Sequence, residues 1–194
     1  MKIIKAAKGA LTDKQLQQVI EVLKEGGIAV IPTDTVYGVF CAAECKTAVK
    51  KIYNLKGRDF SKPLQVFVSS LKQISKFAFA GKNQKQFLEN KLPGPYTLIF
   101  KAKHEGVKKM KFIKKTIGIR FVELDIINTI INGSNSPLAA TSANYSGAAT
   151  PVKFSDIDKG FLKNVDICIQ FDKIVRGKAS TVIDMTEGKK IIRH

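Results

Sequence analysis

The chain has 194 residues, 44% of them hydrophobic and 25% charged, a globular composition that excludes disorder, collagen and coiled coil as the main state. Its 33 Lys and Arg stand against 16 Asp and Glu, a net charge of +17. Such an excess points either to polyanionic partners (nucleic acid, nucleotide or an anionic surface) or to a lysine-biased, solvated surface. No apolar run approaches the roughly 18–20 residues of a membrane span, and the N-terminus MKIIKAAKGALTDKQ has no continuous apolar stretch of an export signal. The expectation is a cytoplasmic protein with no membrane partner.

Thr12 with Gln15 three residues on forms a capping box. Leu16, Val19, Ile20 and Leu23 then recur at helical spacing, and Gly26-Gly27 ends the helix. IAVIP (28–32) reads as a short buried strand, and 46–55 as a second helix with Val49, Ile52 and Tyr53 on one side. LQVFV (64–68) predicts a strand, and 71–91 a polar amphipathic helix with a break at Gly81. TLIFK (97–101) and IGIRFV (117–122) read as strands, 123–131 as a helix and PLAAT (137–141) as a strand. The end is strand-rich: DICIQ (166–170), STVID (180–184) and KKIIRH (189–194). About seven strands and four or five helices in no strict alternation predict an α/β or α+β fold with mixed strand directions, as one domain over the whole chain. The segment 101–115 holds seven Lys and one Glu. It reads as a solvated basic loop or hairpin, or as part of a nucleic-acid face.

Metal chemistry has little support. Cys41, Cys45 and Cys168 contain no C-x-x-C, and His104 and His194 complete no zinc motif. Reduced, buried thiols are expected. The common phosphate-binding loops and the G-x-S-x-G nucleophile elbow are also missing.

Four polar segments abut predicted strands. Pro32-Thr33-Asp34-Thr35-Val36-Tyr37-Gly38 follows IAVI, where strand-end loops gather binding groups; alone it reads equally as a turn with Asp34 as a cap. Lys56-Gly57-Arg58-Asp59-Phe60-Ser61-Lys62-Pro63-Leu64 sets three cations around a glycine, which suits a polyphosphate. The arginine matters there, because Arg58, Arg120, Arg176 and Arg193 are the only four in the chain. Thr141-Ser142-Ala143-Asn144-Tyr145-Ser146-Gly147 puts Ser142 and Asn144 on one side if extended. Thr116 and Arg120 share a strand face, and an arginine flanked by Ile119 and Phe121 needs an anion, either a carboxylate partner or a ligand. Ser180 and Arg193 are candidates for the same site.

In order and spacing, PTDTVYG, KGR…KPL, LPGPYT, TIGIR, TSAN-x-SG, STVID and the terminal IIR resemble the YrdC/TsaC family of threonylcarbamoyl-AMP synthases, from about Gly27 to Arg193. Each motif is weak alone, and the ordered set is specific. The resemblance implies a single-domain α/β fold with a twisted sheet of parallel and antiparallel strands, flanking helices and an open basic cavity. It implies condensation of L-threonine, bicarbonate or CO2, and ATP to L-threonylcarbamoyladenylate and pyrophosphate. A separate transferase complex then moves the threonylcarbamoyl group to tRNA, 3′ of the anticodon.

Position by position, the resemblance implies that Lys56, Arg58, Ser142 and Asn144 handle ATP, with Lys56 and Arg58 as the catalytic cations. Lys62, Thr116, Thr150 and Arg193 match further nucleotide contacts. Thr35, Arg120, the Ala140 backbone and Ser180 match the threonine side. Mg2+ would ride on the ATP phosphates, with no metal cage in the protein. The chain departs from the family at Asp59, where Pro is common, and at Phe67, where His is frequent. The competing readings are a tRNA- or double-stranded-RNA-binding module without synthase activity, and a domain making carbamoyl adenylate from carbamoyl phosphate.

Overall fold

The structure is a computed structural model and describes residues 1–6, 10–171 and 176–194. The first strand, β1 (Lys2–Lys5), precedes helix α1 (Asp13–Lys24). The capping box forms as the sequence requires: the Gln15 N–H donates to Thr12 Oγ1 at 3.3 Å and the Thr12 N–H to Gln15 Oε1 at 2.9 Å. Val19, Ile20 and Leu23 are buried on the predicted face. β2 (Ala29–Pro32) and β3 (Tyr37–Ala42) form a tight antiparallel hairpin. α2 (Lys46–Lys56) follows and stops at Gly57, whose φ of +58° turns the chain out of the helix.

β4 (Gln65–Phe67) leads to α3 (Leu71–Phe77) and α4 (Lys82–Lys91), so the 71–91 stretch breaks just before Lys82, at the expected glycine. β5 (Tyr96–Lys101), a single turn α5 (His104–Val107), β6 (Thr116–Arg120), α6 (Asp125–Ser134) and β7 (Leu138–Ser142) come next. A 3-10 turn (Phe154–Asp156), α7 (Lys159–Lys163), β8 (Ile167–Gln170), β9 (Thr181–Asp184) and β10 (Lys190–Arg193) complete the described chain. The basic stretch is the long connection of a hairpin, joining the antiparallel strands β5 and β6 whose ends meet at Lys101 and Thr116. It is not a free loop: Val107, Met110 and Ile113 are buried and pin it down, while six of its lysines are exposed and Lys103 is half-buried.

Among the described residues the strands form one sheet in the order β1-β8-β2-β3-β7-β4-β6-β5-β9-β10. β1–β8, β2–β8, β4–β6 and β5–β9 are parallel pairs, and the others are antiparallel. The mixed sheet is the one predicted. β1 and β3 were not among the predicted strands. β3 is buried at every position, so it lacks the alternation that marks a strand with one wet face.

Strand alternation divides the core in two. Val30, Val39, Cys41, Val66 and Ala139 pack on one face with α2 and α3 residues such as Ile52 and Ile74. Ala29, Ile31, Phe40, Phe67 and Ala140 pack on the other with Val19 and Leu23 of α1 and Ile127 and Ile131 of α6. Helices α1 and α6 cover only part of that second face. The sheet curls over the rest, because residues from the β2–β3 turn and from β10, far apart in strand order, line one hollow.

Candidate active site

The hollow holds about 200 Å³. Its floor is Gly38 and Phe40 of β3, Gln65 and Phe67 of β4, and Ala140 and Ser142 of β7. The paired register Phe40–Ala140–Gln65 sets these residues side by side on one face. Arg120, Arg58 and Arg193 are the charged side chains that line it.

The β2–β3 turn builds the first wall through local hydrogen bonds. Thr33 Oγ1 accepts the Thr35 and Val36 N–H groups, each at 3.1 Å, and donates to the Val36 carbonyl at 2.7 Å. Thr35 Oγ1 lies 2.9 Å from Thr33 Oγ1 and accepts from Arg120 Nη1 at 3.1 Å. Asp34, between them, is not a helix cap. Its Oδ1 takes Arg120 Nη2 at 2.5 Å.

Arg120 is 3% exposed, and its guanidinium lies 4.9 Å over the Phe67 ring. Its Nε is buried and has no hydrogen-bond partner among the described residues. Burial lowers the guanidinium pKa, and Asp34 partly offsets this. Burial raises the Asp34 carboxyl, against the opposing pull of Arg120. The opposite wall is Ser180, whose hydroxyl meets Thr97 Oγ1 at 2.7 Å. Its carbonyl accepts Arg193 Nε at 3.3 Å and Nη2 at 2.9 Å.

Arg58 hangs at the mouth. Its Nε donates to the Lys62 carbonyl at 2.9 Å and its Nη2 to the Pro63 carbonyl at 3.1 Å, which fixes the fork against its own loop. Lys56 is buried behind the wall. Burial, with the Arg58 charge adding to it, holds its pKa down to about 8.

Eight of the twelve predicted site residues therefore line one hollow: Thr35, Arg58, Arg120, Ala140, Ser142, Thr150, Ser180 and Arg193. Lys56 and Asn144 stand behind it, bonded to each other. Lys62 is exposed. Thr116 opens instead on an adjoining pocket of about 300 Å³, with Phe60, Phe112, Lys114 and Lys115; Pro63 lines both. Asp34 was not among the predicted site residues. The signal was present in the requirement of Arg120 for an anion, but nothing in the spacing chose among the carboxylates.

A wider hollow of about 540 Å³ at the other end of these strands gathers none of the predicted residues. Among the described residues no three His, Cys, Asp or Glu side chains are grouped to hold a metal ion, and no helix is long and apolar enough to cross a membrane. Asp34, in the turn beside the site, is already committed to Arg120.

The sequence profile of the family described as "Telomere recombination", which groups Sua5, YciO and YrdC, matches residues 21–194. A Methanocaldococcus jannaschii protein provisionally named threonylcarbamoyl-AMP synthase is 38% identical over 194 residues, covering 98% of this chain and 90% of the relative. The structure of Pyrococcus abyssi Sua5 complexed with L-threonine superposes with a TM-score of 0.89 at 28% identity. That match covers 96% of this chain and 55% of the Pyrococcus chain, so the present chain spans about half the length of that relative. Escherichia coli YciO, an uncharacterized protein, superposes with a TM-score of 0.86 at 25% identity, covering all of this chain and 94% of that one. With the profile running from the first helix to the last residue, and both solved relatives superposing over nearly all of the chain, the chain belongs to the Sua5/YciO/YrdC family.

Proposed function

We propose that the protein is an L-threonylcarbamoyladenylate synthase, joining L-threonine, bicarbonate or CO2, and ATP and releasing pyrophosphate. The observation that carries the reading is the convergence of Arg58, Arg120 and Arg193 on one hollow with the Thr35, Ser142, Thr150 and Ser180 side chains. That set suits two anionic substrates and needs no protein nucleophile. The family name borne by the M. jannaschii relative supports the same reading.

In this reading threonine lies against the Thr35–Arg120–Ser180 side. Arg120, whose Nε has no partner among the described residues, takes the carboxylate through a charge-assisted bond. The threonine nitrogen adds to the carbon of CO2 and gives up a proton, forming a carbamate. A carbamate oxygen attacks the α-phosphorus of ATP. The bond from that phosphorus to the bridging oxygen breaks, and its electron pair leaves with pyrophosphate.

The protein's part is to hold two anions in line and to stabilise charge on the moving phosphates. Arg58 at the mouth and Arg193 beside Ser180 serve the nucleotide. Mg2+ travels on the phosphate oxygens with water completing its shell. Lys62 and Thr116, outside the main hollow, would reach the nucleotide only from the adjoining pocket. A threonylcarbamoyl transferase acting on tRNA is the consumer of the product.

The test is pyrophosphate release with ATP, Mg2+, threonine and bicarbonate, omitting one at a time. Release should need threonine and bicarbonate together, with serine a poorer substitute. A rate unchanged without threonine rejects the reading. Carbamoyl phosphate replacing threonine and bicarbonate would assign the carbamoyl-adenylate chemistry instead.

A further inference from the structure

Lys56 ends α2 with its side chain turned into the wall. It is 3% exposed, and its Nζ donates to the Ser142 carbonyl at 2.6 Å, to the Asn144 carbonyl and to Asn144 Oδ1 at 3.3 Å. An ammonium has three donors and no acceptor, so this set occupies all of them. The Phe161 ring lies 5.9 Å from Nζ on its remaining side. The main-chain carbonyl of the same residue accepts the Ser146 N–H at 2.9 Å. One lysine thus holds the segment 142–146 at two points. Asn144 carries the bracing onward by donating Nδ2 to the Ala148 carbonyl at 2.6 Å.

A lysine that grips phosphate presents free N–H groups to the ligand. Here Ser142 and Arg58 line the hollow and Lys56 does not. We propose that Lys56 is a positioning residue: its ammonium fixes the Ser142–Asn144 segment from behind, so that Ser142 faces the nucleotide side of the hollow, and it makes no phosphate contact of its own. The nucleotide part rests on the proposed synthase reading, while the bracing is a property of the free protein. Removing the ammonium takes a donor from all three oxygens. The Ser142 carbonyl keeps the Asn144 N–H at 3.0 Å, and the segment has to shift for the two Asn144 oxygens to reach water.

Two measurements test this. Hydrogen exchange on the ligand-free protein reads the brace. In Lys56→Met, the amides of 142–148 should exchange about tenfold faster or more, with those of β2 and β5 unchanged. Calorimetric titration with Mg-ATP reads its consequence. Lys56→Met should weaken binding about a hundredfold. Lys56→Arg should weaken it nearly as much, because a planar fork does not fit three converging acceptors. Added to Ser142→Ala, Lys56→Met should cost no more than about a further factor of two.

Unchanged exchange at 142–148 overturns the proposal. So do losses from the two substitutions that multiply, or wild-type ATP binding in Lys56→Arg, since each marks a direct charge contact. Faster exchange in a protein whose unsubstituted form binds no ATP keeps the brace and rejects the synthase reading. Should Lys56→Met fail to fold, Lys56→Gln, which keeps two donors, carries both measurements.

Discussion

Asp34 Oδ1 and Arg120 Nη2 meet at 2.5 Å although their elements are not neighbours in the sheet. Asp34 lies in the β2–β3 turn and Arg120 ends β6, with β7 and β4 between β3 and β6. The ion pair bridges the curl of the sheet, and it orients a buried guanidinium toward the hollow. Desolvation acts against both charges, so the pair sets geometry more than it adds net stability.

Asp34→Asn should therefore destabilise the protein by about 3–5 kcal/mol, because it leaves Arg120 as an uncompensated buried cation. The double substitution Asp34→Leu with Arg120→Met should recover much of that loss, while abolishing threonine binding. Urea unfolding of the two variants decides. A double variant no more stable than Asp34→Asn would show that the pair is itself strongly stabilising.

Arg58 and Arg120 should separate kinetically. Arg58→Ala should slow turnover about a hundredfold, the effect of about 3 kcal/mol at a developing phosphate charge, and weaken ATP binding. Arg58→Lys should restore it only in part, lacking the fork that bonds the Lys62 and Pro63 carbonyls. Arg120→Ala should raise the threonine requirement and leave ATP affinity without threonine unchanged. Separate titrations of ATP and threonine would show the pockets to be exchanged if the two phenotypes came out reversed.

Lys56 gives a pH signature. Above a pKa of about 8 the neutral amine has two N–H groups for three acceptors, and the 142–146 segment loosens. Pyrophosphate release should fall on an alkaline limb centred near that value, and Lys56→Met should lack the limb. Stability moves the other way. Between about 8 and the ordinary lysine value of 10.5 the unfolded chain binds the proton more fully than the folded one, so this residue makes unfolding free energy rise with pH. Urea midpoints from pH 7 to pH 10 for the two proteins check the sign.

Gly106→Ala should destabilise without touching the site. A Cβ there would fall 2.0 Å from the Lys76 carbonyl oxygen, where α5 crosses the end of α3. The backbones have to part, at a cost of about 1–3 kcal/mol. Thermal unfolding should shift down while pyrophosphate release at low temperature stays at the wild-type rate.

The exposed lysines of 101–115 test the RNA reading. Replacing Lys108, Lys109, Lys114 and Lys115 by Gln should leave adenylate synthesis nearly unchanged. If tRNA docks there, the log–log salt slope should flatten by about 0.7–0.9 per lost phosphate contact. An unchanged slope returns the segment to solvated surface.

What the sequence by itself determined is local or cumulative. The Thr12–Gln15 cap, the stop at Gly26 and the buried stripe of α1 follow from spacing within one helix, and they form as read. The ordered motifs carried the family. The context of Arg120, between two large apolar residues, carried its need for an anion. β3 escaped because both of its faces are buried, which leaves no alternation, and because its first residues, Tyr37 and Gly38, close the polar segment read as a turn; β2, equally buried, showed only as an unbroken apolar run.

Tertiary structure alone decided which anion Arg120 takes, since Asp34 is 86 positions away. It decided that Lys56 points into the wall while Arg58, two residues on, reaches the hollow past the left-handed turn at Gly57. It also put Thr116 and Arg120, which share a strand face, into different pockets. The reason is physical. A cap or a helical stripe depends on bonds within a few residues, whereas the curl that closes this site sums the twist of many strands and the burial on both faces, and no short spacing records that sum.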